Sequence, residues 1–463
     1  MRDSRFARLR AADVINLAAE VPGVPMHMTA VATLDGDTLV DADGHLRMGA
    51  IRRTIEHGLA AAPRLRQVLH SPGVLAGPPL WIDRDGFDIR LHVREAALPA
   101  PGDEQALLDL AARLMVEPFD RSRPLWRMWF VTGLPDGRVG LVVVLHHVVA
   151  DGLAGIGLVL ALLDRPLCPD TDQPRSPDAE HPRIGAHPSW WALARDHAGT
   201  TLGGGRRVVT ALRPGTLAGV RGVVRTLTTR STGPRPASLN RPVGPRRHVG
   251  VVRLDLADAK RVAHAHGGTV NDLILGLAAG GLRALLGERG EPVDRLVVRA
   301  SVAVSLRSAG APTDAGNQTG AFLVDLPVGA HAAAERLRQV SVRTSAAKAA
   351  QPSEGATTFF AALSRVGVAR WFSVRQHVVN LVESDLIGPS APMGLLGAPV
   401  RELVPIGSLA GNVPVSVLAL SYAGRLVVAV QTDTDAVPDA DVLLDAVRRD
   451  WDALRRSGAP GAA

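Results

Sequence analysis

The sequence predicts an α/β protein with mixed sheets, arranged in two lobes. Three observations lead there. The chain has 463 residues, 46% of them hydrophobic, enough for a large core shared between two lobes. Helical and strand patterns are interspersed on both sides of the middle. Between them, residues 166–188 are rich in proline and charge, as in a surface connector. The expected organisation is a first lobe over 1–165, a proline- and arginine-rich linker over 166–247 and a second lobe over 248–463.

In the first lobe, Ala50 to Ala62 and Gln105 to Met115 space their apolar residues as helices do. Val139 to Leu145 is a short continuous apolar run, expected as a buried strand, and Leu153 to Leu163 as a buried helix. The whole span Val139 to Leu163 holds only three ionisable residues, His146, His147 and Asp151. Such groups are expensive at the centre of a bilayer, so strand, turn and helix are expected, not a membrane crossing. In the second lobe, Thr269-Val270-Asn271-Asp272 is a capping-box pattern opening a buried helix from Leu273 to Leu286. Leu296 to Leu306 alternates, with Val298, Ala300, Val302 and Val304 on one face of a strand. Val415 to Val430 reads as a hairpin turning at Ala423-Gly424.

Composition excludes several classes of function. Cys168 is the single cysteine, so an intrachain disulfide and a thiolate metal cluster are ruled out, and a reducing cytosol fits. The first residues, Met1 to Arg8, lead into no apolar stretch, so no signal peptide is expected. The net charge of +7 has a local origin. No acidic residue occurs from His197 to Leu254, while ten arginines lie between Arg206 and Arg247. This stretch reads first as a solvated connector with arginine bias. Its second reading is attraction to anionic lipid, with Trp190-Trp191 as interfacial anchors. Nucleic-acid binding is not expected: no recognition motif accompanies the arginines, and aromatic residues total 3%.

The chemistry concentrates in His146-His147-Val148-Val149-Ala150-Asp151-Gly152, directly after the buried strand. Buried histidine and aspartate are costly without partners. Strand alternation turns His146 and His147 to opposite faces, so only one can enter a reaction channel. Asp151 is expected to orient its surroundings through a paired cation, with Arg307 as a candidate, and Gly152 to leave room for substrate or backbone. A lone histidine base suits acyl transfer from a thioester to a hydroxyl. The thiol leaves without much acid help, and the alcohol must lose its proton as it attacks. An oxyanion donor completes the requirement.

These residues carry a resemblance. Pro25-Met26-His27-Met28, Phe87 to Arg94 and Phe119-Asp120-Arg121-Ser122-Arg123-Pro124-Leu125-Trp126 resemble segments of the bacterial wax ester synthase/acyl-CoA:diacylglycerol acyltransferase family. The heptad is similar to its active-site motif. Ser238-Leu239-Asn240, Val270-Asn271-Asp272, Val302 to Arg307, Gly316-Asn317 and Ser421 to Leu426 follow in the family's order. The resemblance implies a two-lobed, chloramphenicol-acetyltransferase-like fold with the active site in a tunnel between lobes. It implies His147 as general base, with His146 and Asp151 mainly structural. Asn271, Asp272, Arg307 and Asn317 become candidates for site support, and Pro124, Leu125 and Trp126 for a channel wall.

It further implies acyl-CoA as co-substrate, no permanently bound cofactor and no metal, and diacylglycerol or a long-chain alcohol as acceptor. The arginines then gain a third reading, contact with the phosphates of coenzyme A. Peripheral contact with the inner membrane face or lipid droplets follows as an expectation. Two alternatives stay open, a carrier-protein thioester as acyl donor and a non-catalytic lipid-binding protein. The chain departs from the family pattern twice. Ser384-Asp385-Leu386-Ile387-Gly388-Pro389 stands where serine-asparagine-valine-proline-glycine-proline is usual, and Gly411 to Ser416 replaces a glycine-leucine-asparagine stretch. Both departures lie in the second lobe, so a difference in acyl or alcohol preference is expected.

Overall fold

The computed structural model describes residues 6–163, 188–199, 238–305, 319–349 and 374–457, apart from positions 22, 85 and 410. The first half forms α1 (Ala11–Ala19), β1 (His27–Leu34), α2 (Met48–Gly58), β2 (Gln67–His70), β3 (Leu80–Asp83), β4 (Val93–Ala97), α3 (Glu104–Leu114), β5 (Trp126–Thr132), β6 (Val139–His146) and α4 (Gly152–Leu162). The second half forms β7 (Arg247–Asp255), α5 (Leu256–Ala265), α6 (Val270–Glu288), β8 (Val298–Ser305), β9 (Thr319–Leu326), α7 (Ala333–Ala349) and β10 (Leu381–Ile387). It continues through β11 (Gly394–Leu395), β12 (Ala398–Ile406), β13 (Val415–Tyr422), β14 (Arg425–Asp433) and α8 (Ala440–Ser457).

Two six-stranded mixed sheets dominate. The first has the order β11-β12-β1-β6-β5-β4, the second β7-β14-β13-β10-β8-β9. β6 is central in the first, and all eight of its residues are buried. Its two faces go to different cores. Val139, Leu141, Val143 and Leu145 pack with residues of α2 and α4. Val142 and Val144 pack on the other side with α3 and with Val249, Val251, Val427 and Ala429 of the second sheet. A strand covered on both faces needs a continuous apolar run, which is what the sequence supplies.

The lobes are not consecutive in sequence. β12 lies in the span read as the second lobe, yet it pairs antiparallel with β1 in the first sheet, Thr29 opposite Ile406 and Ala32 opposite Leu403. Residues 394–406 therefore complete the first sheet, with β11 as its edge. Arg253 of β7 ties the sheets at the surface, its Nε 2.7 Å from Glu402 of β12.

In the second lobe α5, α6, α7 and α8 pack on one face of their sheet. α6 opens as its sequence suggests. The Asp272 carboxylate accepts from Thr269 N–H at 2.8 Å, and the Thr269 hydroxyl accepts from Asp272 N–H at 3.3 Å. Among the described residues α6 is the one helix long and apolar enough to cross a membrane, and it is mostly buried inside the protein. Its small residues let α8 approach closely. Arg336 of α7 pairs with Asp450 of α8 in this crowded region. β13 and β14 form the expected hairpin, and Ala423 and Gly424 take φ of +46° and +81° at the two-residue turn.

Candidate active site

β6 ends at His146, and the chain turns sharply there. His147 N–H donates to the Met26 carbonyl at 2.8 Å, and Val149 N–H to the His146 carbonyl at 2.9 Å. The two histidines face opposite ways, as alternation requires. His146 is 2% exposed. Its Nδ1 accepts from Val148 N–H at 3.1 Å, so Nε2 carries the proton toward Glu20 Oε1, 2.9 Å away. Glu20 also accepts from Met26 N–H at 3.1 Å and from Arg121 at 2.6 Å. Burial works against a charge on Glu20, but the His146 bond and charge, the Met26 bond and Arg121 outweigh it and hold the carboxyl at about 2. His27 of β1 lies opposite His146 in the sheet. Its Nδ1 donates to the Met115 carbonyl at 2.7 Å, and burial, then the His146 charge, push it down to about 3. Ligand-capable atoms of Glu20, His27 and His146 lie within 4.8 Å of one another. The Arg121 guanidinium on Glu20 already supplies a cation there, which makes the cluster a poor host for a metal ion.

His147 lines a cavity on the other face. The residue is half-buried, and its ring is strongly desolvated. The ring bonds its own backbone carbonyl. The Asn16 side-chain amide, from α1, lies 3.2 Å from Nδ1 and braces that edge of the ring. Burial lowers the imidazole below 6.5; its own carbonyl opposes this, the His146 charge adds to it and Asp151 opposes it. The ring is therefore neutral, in its base form, at neutral pH.

The cavity holds about 210 Å³ between β1, α4, β8, β10 and β12. Its walls are mainly aliphatic, including Met28, Leu145, Ile156, Val159, Leu160 and Leu418. Polar groups are few: Thr29, His147, Asp151, Ser384, Asp385 and Ser408. Asp151 is the N-cap of α4, its Oδ1 accepting from Ala154 N–H at 2.9 Å. Gly152 leaves room for a neighbour other than the expected substrate or backbone. A Cβ there would stand 2.8 Å from Cδ2 of Leu386, so what comes close is a side chain of β10. The motif thus touches the second sheet directly.

The remaining expectations divide. Pro124, Leu125 and Trp126 do not line this cavity. They are buried in the core, where the Trp126 indole donates to the Leu65 carbonyl at 2.7 Å and its ring stacks on His92 at 4.6 Å. The channel-wall expectation is corrected accordingly: large aromatic surface is buried where its N–H finds an acceptor. Asp272 serves the α6 cap and accepts from the Thr344 hydroxyl at 2.6 Å. Asn271 donates to both Glu383 carboxyl oxygens, at 3.3 and 3.2 Å. Neither reaches the cavity, but Glu383 stands on β10 beside Ser384 and Asp385, which do. Arg307 and Asn317 lie outside the described residues, as do Cys168 and most of the arginine-rich stretch. Sequence reasoning missed Asn16 and Glu20. Each lies more than 120 residues from its histidine, with no local pattern to mark it.

Residues 9–274 match the wax ester synthase/diacylglycerol acyltransferase catalytic domain, and residues 315–455 match the C-terminal domain of the same family. The chain belongs to the wax ester synthase/diacylglycerol acyltransferase family. It is an acyl-CoA-dependent acyltransferase. It is 30% identical over 455 residues to a putative diacylglycerol O-acyltransferase of Mycobacterium tuberculosis CDC 1551, covering 93% of this chain and 87% of the relative. A probable diacylglycerol O-acyltransferase of M. tuberculosis H37Rv is 31% identical over 391 residues, 81% of either chain. The structure resembles the wax ester synthase/diacylglycerol acyltransferase of Marinobacter aquaeolei VT8, with a TM-score of 0.65 at 21% identity, covering 98% of this chain and 100% of that one. It also resembles the first condensation domain of the calcium-dependent antibiotic synthetase, with a TM-score of 0.60 at 18% identity over 100% and 98% of the chains. The fold is the two-lobed chloramphenicol-acetyltransferase-like one.

Proposed function

We propose that the protein moves a fatty acyl group from acyl-CoA to the hydroxyl of diacylglycerol or of a long-chain alcohol, with His147 as general base. The observation that carries this reading is a neutral, desolvated imidazole at the wall of an aliphatic cavity. In the reaction, the neutral His147 imidazole takes the acceptor's proton as its oxygen attacks the thioester carbonyl. The tetrahedral oxyanion collapses, the carbon–sulfur bond breaks, and the departing thiolate recovers the proton from the imidazolium. No acyl-enzyme is needed. Asn16 braces the ring from α1, while His146, Glu20 and His27 fix the strand end behind it. Asp151 and Gly152 set the start of α4 against β10. Diacylglycerol acyltransferase names among the mycobacterial relatives favour diacylglycerol as an acceptor.

Peripheral contact with a lipid surface is part of the proposal. Trp190 and Trp191 are 42% and 74% exposed, lie edge to face, and precede the arginine-rich stretch in sequence. The test of the chemistry is His147→Ala with palmitoyl-CoA and dipalmitoylglycerol or hexadecanol. Turnover should fall by about 10²–10⁴-fold while the circular dichroism spectrum is retained. Near-normal turnover in this variant would remove His147 from the mechanism.

A further inference from the structure

We infer that Gly155 keeps open the passage in which a substrate's linear alkyl chain lies along α4, and so determines whether the enzyme uses long chains. The chain belongs to the acyl donor or to the alcohol acceptor, which share this chemistry. The inference rests on the acyl-transfer reading above and specifies the tail of the substrate.

α4 is apolar on every side from Gly152 to Leu162, a pattern that calls for cover all round. The protein itself covers one side. Ala154, Leu158 and Leu162 are buried in the core of the first lobe. Leu162 meets Gly58 of α2, where a Cβ would stand 2.9 Å from the Leu162 Cα. The other side lines the cavity through Gly152, Gly155, Ile156, Val159, Leu160 and Leu163. These positions recur at three- and four-residue spacing, so they form one stripe along the helix. Ile156 and Leu160 are only half-buried, which leaves aliphatic surface on the stripe that no protein side chain covers.

The stripe starts at the reactive motif. Gly155 N–H donates to the Asp151 carbonyl at 2.6 Å, one turn beyond the cap. From Gly155 onward the stripe offers only carbon, and Leu160 stands about 12 Å along α4 from Gly152. A polar occupant would find no partner on it. A chain whose reacting end lies at His147 has this wall to follow, and each methylene laid against it leaves water, worth about fourfold in kcat/KM.

Gly155 is the narrow point. A Cβ there would stand 3.4 Å from Met28 Cε and 3.7 Å from Leu145 Cδ1, ordinary contacts with two other side chains of the cavity wall. Alanine therefore fits. A longer side chain has to enter the space bounded by α4, Met28 and Leu145, between the motif and the rest of the stripe.

The test measures kcat/KM by thiol release in two series. One compares decanoyl-CoA with butyryl-CoA, with 1-decanol as acceptor. The other compares 1-decanol with 1-butanol, with decanoyl-CoA as donor. The wild type should favour the ten-carbon member by about 100-fold or more in at least one series. Gly155→Leu should lower that preference by about tenfold or more, and Gly155→Ala should keep it within about threefold. The series that responds shows whether the chain is the donor's or the acceptor's. Ratios are taken within each protein, so a loss of folded enzyme cancels. Where Gly155→Leu fails to fold, Ile156→Trp on the same stripe carries the comparison. Leu158→Ala, on the opposite side of α4, loses core packing and should leave both ratios as in the wild type. No chain preference in the wild type, a preference retained in Gly155→Leu, or the same loss in Leu158→Ala overturns the inference. Calorimetry with the same ligands separates it from the reading on which it rests. A ten-carbon preference in binding that Gly155→Leu abolishes, with no thiol release from any pair, would defeat the transfer reading and leave the role of Gly155 standing. Transfer with the same chain profile in the wild type and Gly155→Leu would do the reverse.

Discussion

At the scale of single residues, the site turns its two histidines to opposite faces, and the proposed mechanism gives the base role to His147 alone. His147 is desolvated, neutral and steadied from α1 by Asn16. Replacing Asn16 by leucine keeps the volume and removes the polar brace, so kcat should fall about tenfold while KM for acyl-CoA changes little. Equal loss in both parameters would mark Asn16 as a folding residue only. Glu20 gives a pH prediction. Its folded value is about 2 against an ordinary 4.5, so the folded state binds fewer protons than the unfolded chain. Its contribution to stability is complete above about 4.5 and is lost as pH falls toward 2. Glu20→Gln should lower the melting temperature at pH 7 and lose part of the acid sensitivity between those values, read by thermal denaturation across pH. The alternation that separates His146 from His147 was visible in the sequence. Glu20 and Asn16 were not, because a partner brought in by tertiary contact leaves no periodic trace near the residue it serves.

At the scale of elements, the motif is also a helix start. Asp151 caps α4 and Thr269 with Asp272 caps α6, each by a side-chain oxygen accepting a backbone N–H. Thr269→Ala should cost about 1 kcal/mol in a denaturant titration, the usual worth of such a cap. Asp151→Ala should cost at least as much and also depress turnover, because α4 and β10 meet at Gly152 beside the cavity. The elements themselves were legible. β6, α4, α6 and the β13–β14 hairpin lie within three residues of the sequence expectation, since apolar runs, cap residues and turn residues act locally. The Pro124-Leu125-Trp126 segment shows the limit. An aromatic beside a proline has the same pattern whether it lines a channel or fills a core, and only the position of Leu65 and His92 decides between them.

At the scale of the whole molecule, the first sheet depends on the second half of the chain. β12 covers the edge of β1, and the junction cluster contains residues from both sheets. Residues 1–165 expressed alone should therefore aggregate, because β1 keeps an unpaired apolar edge and Val142 and Val144 lose the part of their cover that comes from the second sheet. Size-exclusion chromatography checks this: a monodisperse monomer of that fragment would contradict the arrangement.

The sequence by itself determined the mixed α/β architecture and the location of the reactive heptad, which residue type and short-range order state directly, and its ordered motifs carried the family resemblance that singles out His147 as the candidate base. Tertiary structure alone decided that β12 crosses into the first sheet, that Leu386 meets Gly152 and that Asp385 faces the same cavity as His147. Strand pairing and cavity walls depend on which distant segments bury one another's apolar faces, and that choice is made by the folded whole.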